Sequence, residues 1–185
     1  MTRVEIELAN VMQKLGRYHE ARAQLLQTRE RLAALVGRQH PEYAGVRSLL
    51  ANVHISLREL TAAQALYTEE LAIVTRIYGE QHPRTARLYN NLGNLLLEQQ
   101  DLSAAATEFT RALHVLEQIH GTDDPVLVIA IINLALIAER RQDVDVAISH
   151  YHRALAIVET RLGPDHAEVA RVADGLVNLY LELGH

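Results

Sequence analysis

The stretch that decides the fold is Leu92-Gly93-x-x-Leu96-x-x-x-Gln100-x-Leu102-x-x-Ala105-x-x-x-Phe109-x-x-Ala112. Its apolar and small residues fall at three- and four-residue spacings, the period of a helix, and strand-type alternation is absent. The same pattern recurs along the chain at a step of 42. Leu8, Leu50, Leu92, Leu134 and Leu176 are in register. The residue after each is small in the first four cases: Ala9, Ala51, Gly93 and Ala135, then Val177. Ala21, Ala63, Ala105 and Ala147 keep the same step, as do Leu25, Tyr67, Phe109 and Tyr151, and Leu32, Val74, Leu116 and Val158.

The punctuation agrees. Gly37, Gly79, Gly121 and Gly163 are 42 apart, and Pro41, Pro83 and Pro125 follow the same step. His40, His82, Asp124 and His166 share one junction position. A fixed period of this length signals stacked repeats. The expected fold class is all-α, a helical-repeat solenoid. The units are 2–41, 42–83, 84–125 and 126–166, with a terminal helix at 167–185, in a single array 1–185. Each unit reads as two antiparallel helices, helix A from Thr2 to Leu15 and helix B from Tyr18 to Val36 in the first. The junction glycines suit a left-handed C-terminal cap, and the prolines suit the first turn of the next helix. The small residue of helix A and the alanine of helix B let the pair approach closely. Ala105→Leu is therefore expected to overpack that crossing, at ~1–3 kcal/mol.

The chain has 185 residues, 49% of them apolar and 22% charged, which is the composition of a globular domain. It has no cysteine, so disulfides, thiol catalysis and Cys-based zinc sites are excluded. The formal charge of -5 disfavours nucleic-acid binding, whose footprint is basic. The opening residues have no apolar segment of the kind that marks a signal peptide. The longest apolar run, Val126 to Ile132, is too short to span a bilayer. The expected location is the cytoplasm, away from membranes.

The run from Leu92 to Ala112 resembles the tetratricopeptide repeat. The longer unit, with Gly79-Glu80-Gln81-His82-Pro83 and Leu88-Tyr89-Asn90-Asn91-Leu92-Gly93, resembles the kinesin-light-chain type of that repeat. The resemblance covers essentially the whole chain. It implies pairs stacked in a right-handed superhelix, with helix A lining a concave groove that takes short peptides. There are departures: no tryptophan, Gly121-Thr122-Asp123-Asp124-Pro125 in unit three, and His166-Ala167 in unit four. The heptads that attach kinesin light chains to a motor are absent, so a motor role is not implied. The family's carboxylate clamp for chaperone tails is matched only at Asn94, Asn133 and, with Arg for Lys, Arg171, which disfavours that ligand.

On helix A the position after the small residue reads Asn10, Asn52, Asn94, Leu136 and Asn178. Asparagine has mediocre helix propensity, but its amide carries donors and an acceptor that suit a peptide backbone. Asn91 and Asn133 precede the register leucine, and Asn90 matches the first Asn of the family's Leu-Asn-Asn-Leu motif. These amides are the expected peptide contacts, with solvated or interhelix amides as the alternative. Arg3, Arg87 and Arg171 are in register and suit acidic ligand groups, although a solvated helix start explains them equally. From Val126 to Ala138 only Asn133 is polar. Ile129, Ile132 and Leu136 there are expected to form an apolar pocket or a partner contact.

None of the usual nucleotide-binding or hydrolase motifs is present, and no catalytic residue is expected. His150 and His152 point to different helix faces, and the junction histidines are read as fixing turns, so no metal or cofactor is expected. Asp124 is read as a cap. The expected function is a non-catalytic module that binds a protein or peptide partner and no small-molecule substrate. Asn52→Ala with Asn94→Ala is then expected to weaken binding and leave the fold intact. The alternative is a structural or regulatory spacer, or an array that self-associates through its terminal helix, where Leu176, Leu179, Tyr180 and Leu183 lack a following helix. The incomplete fifth unit leads us to expect a segment of a longer protein. Arrays of this family often sit beside signalling ATPase or kinase modules.

Overall fold

A computed structural model describes residues 2–184. Nine α-helices run among the described residues: α1 Thr2–Lys14, α2 Tyr18–Val36, α3 Pro41–Ser56, α4 Leu60–Tyr78, α5 Pro83–Glu98, α6 Leu102–His120, α7 Val128–Arg140, α8 Val144–Leu162 and α9 Ala167–Glu182. A single 3-10 turn, Pro125–Leu127, leads into α7, and no strand occurs among these residues. Odd-numbered helices are A helices and even-numbered ones are B helices.

The B helices show why the sequence folds this way. Each buries residues at a 4-3-4 spacing: Ala21, Leu25, Thr28 and Leu32 in α2; Ala63, Tyr67, Glu70 and Val74 in α4; Ala105, Phe109, Ala112 and Leu116 in α6; Ala147, Tyr151, Ala154 and Val158 in α8. That spacing draws one apolar stripe along a helix. Each opens with alanine, which allows close approach, and carries a bulky side chain one turn later.

The chain divides into two compact units, Met1–Gly79 with Asn94–Gln100, and Glu80–Gly93 with Asp101–His185. In the first, α2 packs against α1 and α3, and α3 against α4. Its core joins Ala9, Leu25 and Leu32 to Tyr43, Val46, Leu50 and Val53. Truncating Leu25 or Leu50 to Ala there is expected to cost ~2–5 kcal/mol. In the second unit α7 packs against α6 and α8, and α9 against α8. Gly93 lies under the ring of the fully buried Phe109.

The junction residues act as caps. His40 accepts a hydrogen bond from the Glu42 N–H at 3.2 Å through Nδ1. His82 does the same with Arg84, and His166 with Glu168, each at 3.1 Å. Asp124 accepts from the Val126 N–H at 2.9 Å. One of the N–H groups left open at each helix start is thereby satisfied. The imidazoles must offer a bare Nδ1, so each carries its proton on Nε2.

Two expectations are corrected. The junction glycines are not left-handed helical caps. Gly37, Gly79, Gly121 and Gly163 have φ of 82 to 89° but ψ of 155 to 177°. That is the mirror image of extended chain, a region essentially reserved for glycine. The terminal helix also turns a different face outward. Leu176 and Leu179 are buried and Tyr180 is half-buried, because this side of α9 packs on α8. Val177 and Leu181 are the exposed apolar pair, together with Leu183.

Candidate functional site

Asn10, Asn52 and Asn94 come from equivalent points on α1, α3 and α5, and all three belong to the first unit. Asn10 and Asn52 are half-buried and Asn94 is exposed. Asn10 lines a concavity of about 420 Å³ with Glu7, Gln13, Lys14, Tyr18 and Ser56. Glu7, Asn10 and Lys14 follow one another at three and four residues, so they share one face of α1. Tyr18 enters from the start of α2 and Ser56 from the end of α3. The surroundings are polar and of mixed charge. Glu7, Gln13, Tyr18 and Ser56 were not singled out in the sequence. Helical spacing from Asn10 finds the first two; the others come from neighbouring helices, which that spacing does not reach.

The three amides differ in their freedom. The Asn52 side-chain oxygen accepts a hydrogen bond from the Tyr67 hydroxyl, and its backbone carbonyl accepts from Ser56 Oγ at 3.1 Å. Asn52→Ala would thus remove an acceptor from a largely buried phenol, and the expectation that it leaves the fold untouched is corrected. Asn10 and Asn94 make no side-chain hydrogen bond among the described residues.

In the second unit, Asn90, Asn91 and Asn133 are half-buried and Asn178 is exposed. The Asn90 side-chain oxygen is buried and has no hydrogen-bond partner among the described residues. Arg87 is exposed on α5, with no ion pair among the described residues. Arg171 is held by Glu168 one turn before it, with Nε 3.0 Å from Oε2 and a second contact to Oε1. That bond keeps the Glu168 carboxyl below its usual range and the guanidinium above its own. The side chain of Arg3, the third member of this set, lies outside the described residues. On α7 Ile129 is 59% exposed, Leu136 is exposed and Ile132 is half-buried. Their 129, 132, 136 spacing puts them on one face, while Val128, Ala130, Ile131, Ala135, Ile137 and Ala138 are buried.

The junction after α6 forms a second concavity of about 380 Å³, lined by Thr122, Asp123, Arg153, Ala156, Ile157, Thr160 and Arg161. Its arginines hold the loop: Arg153 donates to the Thr122 carbonyl at 3.3 Å and pairs with Glu117, and Arg161 donates to the Asp123 carbonyl at 3.1 Å. His150 is half-buried, and His152 is exposed. Among the described residues no three His, Asp or Glu side chains gather as a metal-holding group. No helix of these residues is long and apolar enough to cross a membrane.

The sequence matches the tetratricopeptide repeat over residues 45–118 and 126–185 in one family description. A second description of that repeat matches residues 6–42. No curated protein matches the chain significantly. Among solved structures, BtubC (BKLC) from P. vanneervenii is similar, with a TM-score of 0.81 and 24% identity over 96% of this chain and 70% of that one. The putative kinesin light chain of Podosopora anserina, described as nearly identical TPR-like repeats, gives a TM-score of 0.82 and 19% identity, covering 98% of this chain and 86% of that one. A second structure of that protein, a single-substitution variant, gives 0.83 at the same identity and coverage. These likenesses show the fold. Proteins built from this repeat generally mediate protein–protein interactions as non-catalytic scaffolds. With family matches spanning most of its length, the chain belongs to the tetratricopeptide repeat family, and its fold is that of kinesin-light-chain-like repeats.

Proposed function

We propose that the chain binds an extended peptide segment of a partner protein along its A helices. The observation that carries this reading is the amide at one register on α1, α3 and α5, all three amides in the first unit, with Asn10 set in a concavity of about 420 Å³. A helix gains nothing in propensity from asparagine there. A side-chain amide can, however, answer both the N–H and the C=O of a peptide backbone. Asn10 and Asn94 have that capacity unspent, and Asn52 keeps its donors. Glu7 and Lys14 then select charged ligand side chains. The second unit, taken by itself, has its own candidate contacts for a partner protein: Ile129, Ile132 and Leu136 as an apolar surface, and Arg87 as a guanidinium for a carboxylate.

The test is a random-peptide display selection on the purified chain, counter-screened with Asn10→Ala/Asn94→Ala. Neither substitution removes an intrachain bond. A shared motif that the double variant fails to retain supports the groove. No enrichment, or enrichment indifferent to the variant, rejects it. Exposed Val177 and Leu181 favour a second reading, a spacer that packs or self-associates through α9. In that case Leu181→Gln changes the assembly state and the amides are silent.

A further inference from the structure

Arg161 breaks the repeat. One, two and three steps of 42 before it the same place on a B helix holds Ile119, Ile77 and Leu35, each of them exposed. An aliphatic side chain serves there three times, so neither the helix nor its packing calls for a guanidinium on α8. Arg161 lines the concavity of about 380 Å³ together with Arg153, Ala156, Ile157 and Thr160 of α8 and with Thr122 and Asp123 of the turn after α6. The α8 residues recur at three- and four-residue spacings, which places them on one face. All seven residues belong to the second unit.

Bracing the turn does not use Arg161 up. Its Nε donates to the Asp123 carbonyl at 3.1 Å, whereas Nη1 and Nη2 have no partner among the described residues. Arg153 is different: its Nη2 donates to the Thr122 carbonyl and pairs with Glu117, so its charge is compensated. Thr160 is exposed, and its hydroxyl bonds none of the described residues. Asp123 Oδ1 accepts from the Thr122 hydroxyl at 3.2 Å, and its carboxylate forms no ion pair among the described residues. One concavity therefore holds a free guanidinium fork, a free hydroxyl on the residue before it, a carboxylate, and an apolar part made by Ala156 and the buried Ile157.

That set has a chemical counterpart. The fork of an arginine takes a planar carboxylate through two parallel bonds. A bare anion such as phosphate would meet the Asp123 carboxylate as well as the arginine. A group that carries a carboxylate and an N–H donor together answers both. The last residue of a polypeptide is such a group, because its carboxylate and its backbone N–H share one Cα. Its side chain then has Ala156 to lie on. An internal Asp or Glu brings the carboxylate on its side chain, without that donor at a fixed place.

We propose that the concavity between the α6–α7 turn and α8 binds the C-terminal residue of a partner polypeptide. The carboxylate sits on Arg161 and Thr160, the N–H on Asp123, and an apolar side chain over Ala156. The site shares no residue with the peptide contacts proposed above and is independent of them.

The probes are acetyl-Gly-Gly-Ser-Val, -Leu and -Phe, each as the free acid and as the C-terminal amide. They are titrated into the isotope-labelled full chain, and NMR follows the backbone amides of Gly121 to Asp124 and the Arg161 Nε–H. Saturable shifts of these groups are expected for at least one free acid, with the matching amide about tenfold weaker. Arg161→Ile, which restores the residue type of the third repeat, is expected to abolish the response. Arg161→Lys keeps the charge without the fork and is expected to weaken it. The comparison of acid with amide on the unaltered chain does not depend on how any variant folds. No saturable shift with any free acid, equal binding of acid and amide, or a response that survives Arg161→Ile overturns the proposal. So does equal binding of an amidated peptide ending in Glu, which would make a side-chain carboxylate the occupant.

Discussion

Gly93→Ala gives the repeat register its sharpest test. A Cβ on Gly93 would lie 2.7 Å from Cε1 of Phe109 and 2.8 Å from Cδ1 and Cζ. Carbon pairs rest at about 3.5–4.0 Å, so the ring must retreat by most of an ångström. It has little room, because Phe109 is fully buried with Ala105, Ala112 and Leu113 beside it on α6. Overpacking of this kind costs ~1–3 kcal/mol, while Ala in place of Gly in a helix returns ~0.8–1.0 kcal/mol. The clash is isolated by a control in the same protein. Gly45 sits inside α3 with nothing within 4 Å of a built Cβ. Gly45→Ala should therefore show the propensity gain alone. The difference between the two variants is then the clash, ~1–3 kcal/mol. For a domain of this size that separates their melting temperatures by roughly 2–4 °C for each kcal/mol. Calorimetry or urea unfolding reads it. Phe109→Leu, which restores the Leu25 arrangement of the first repeat, should relieve the Gly93→Ala penalty. Equal shifts for Gly93→Ala and Gly45→Ala, or no relief from Phe109→Leu, would refute the reasoning.

Three further perturbations follow from the junctions and from α8. Gly121→Asn should destabilise by ~1–3 kcal/mol, about as much as Gly121→Ala, because the mirror-extended conformation excludes asparagine as well; a mild effect of Asn in thermal melts would mean an ordinary left-handed cap. His40→Ala should cost ~0.5–2 kcal/mol by leaving the Glu42 N–H open, whereas His40→Asp should be nearly neutral, since Asp124 does the same work in the third junction. Burial first, then the Arg153 charge, hold the His150 imidazole below its ordinary value of 6.5. The unfolded chain thus takes up the proton first as pH falls. The stability contributed by neutral His150 is complete above about pH 6.5 and is lost as pH drops through the folded-state value. Melting temperatures measured downward from neutral pH should fall, and His150→Gln should flatten that slope.

The helix pairs were legible because their signals are local. Glycine and proline punctuate every junction, and the 4-3-4 spacing marks each buried stripe. The turns inside the pairs were not legible. Gly16 shows its positive φ openly, but Arg58, Gln100 and Gln142 hold the equivalent place with φ of 62 to 63°. A side chain there costs roughly 1–2 kcal/mol, and the packed helices on either side hold it in place. Nothing in the type of residue announces it. The capping histidines hide in a similar way, because imidazole is not among the preferred cap side chains, and only the geometry shows Nδ1 taking the N–H.

The amide ladder shows why register alone ranks binding residues poorly. Asn10, Asn52 and Asn94 look equivalent in the sequence, yet their repeats carry different residues at the bulky B-helix position: Leu25, Tyr67 and Phe109. Register reads all three as core, which is right for the rings and silent about the hydroxyl. A buried phenol needs a hydrogen-bond partner. Tyr67 finds one in Asn52. Tyr151, whose repeat has Leu136 in place of the asparagine, has its phenol pushed up by burial first and then by the Glu139 carboxylate beside it. Leu25 and Phe109 have no hydroxyl and make no such demand. Asn10 and Asn94 are therefore left with both donors and acceptor unspent, and the two repeats without tyrosine should contribute most to ligand affinity. Leu25→Tyr should then draw Asn10 into an intrachain bond and weaken a groove ligand while Asn10 itself is kept. A ligand indifferent to Leu25→Tyr, in a variant that still folds, would be binding somewhere other than this face.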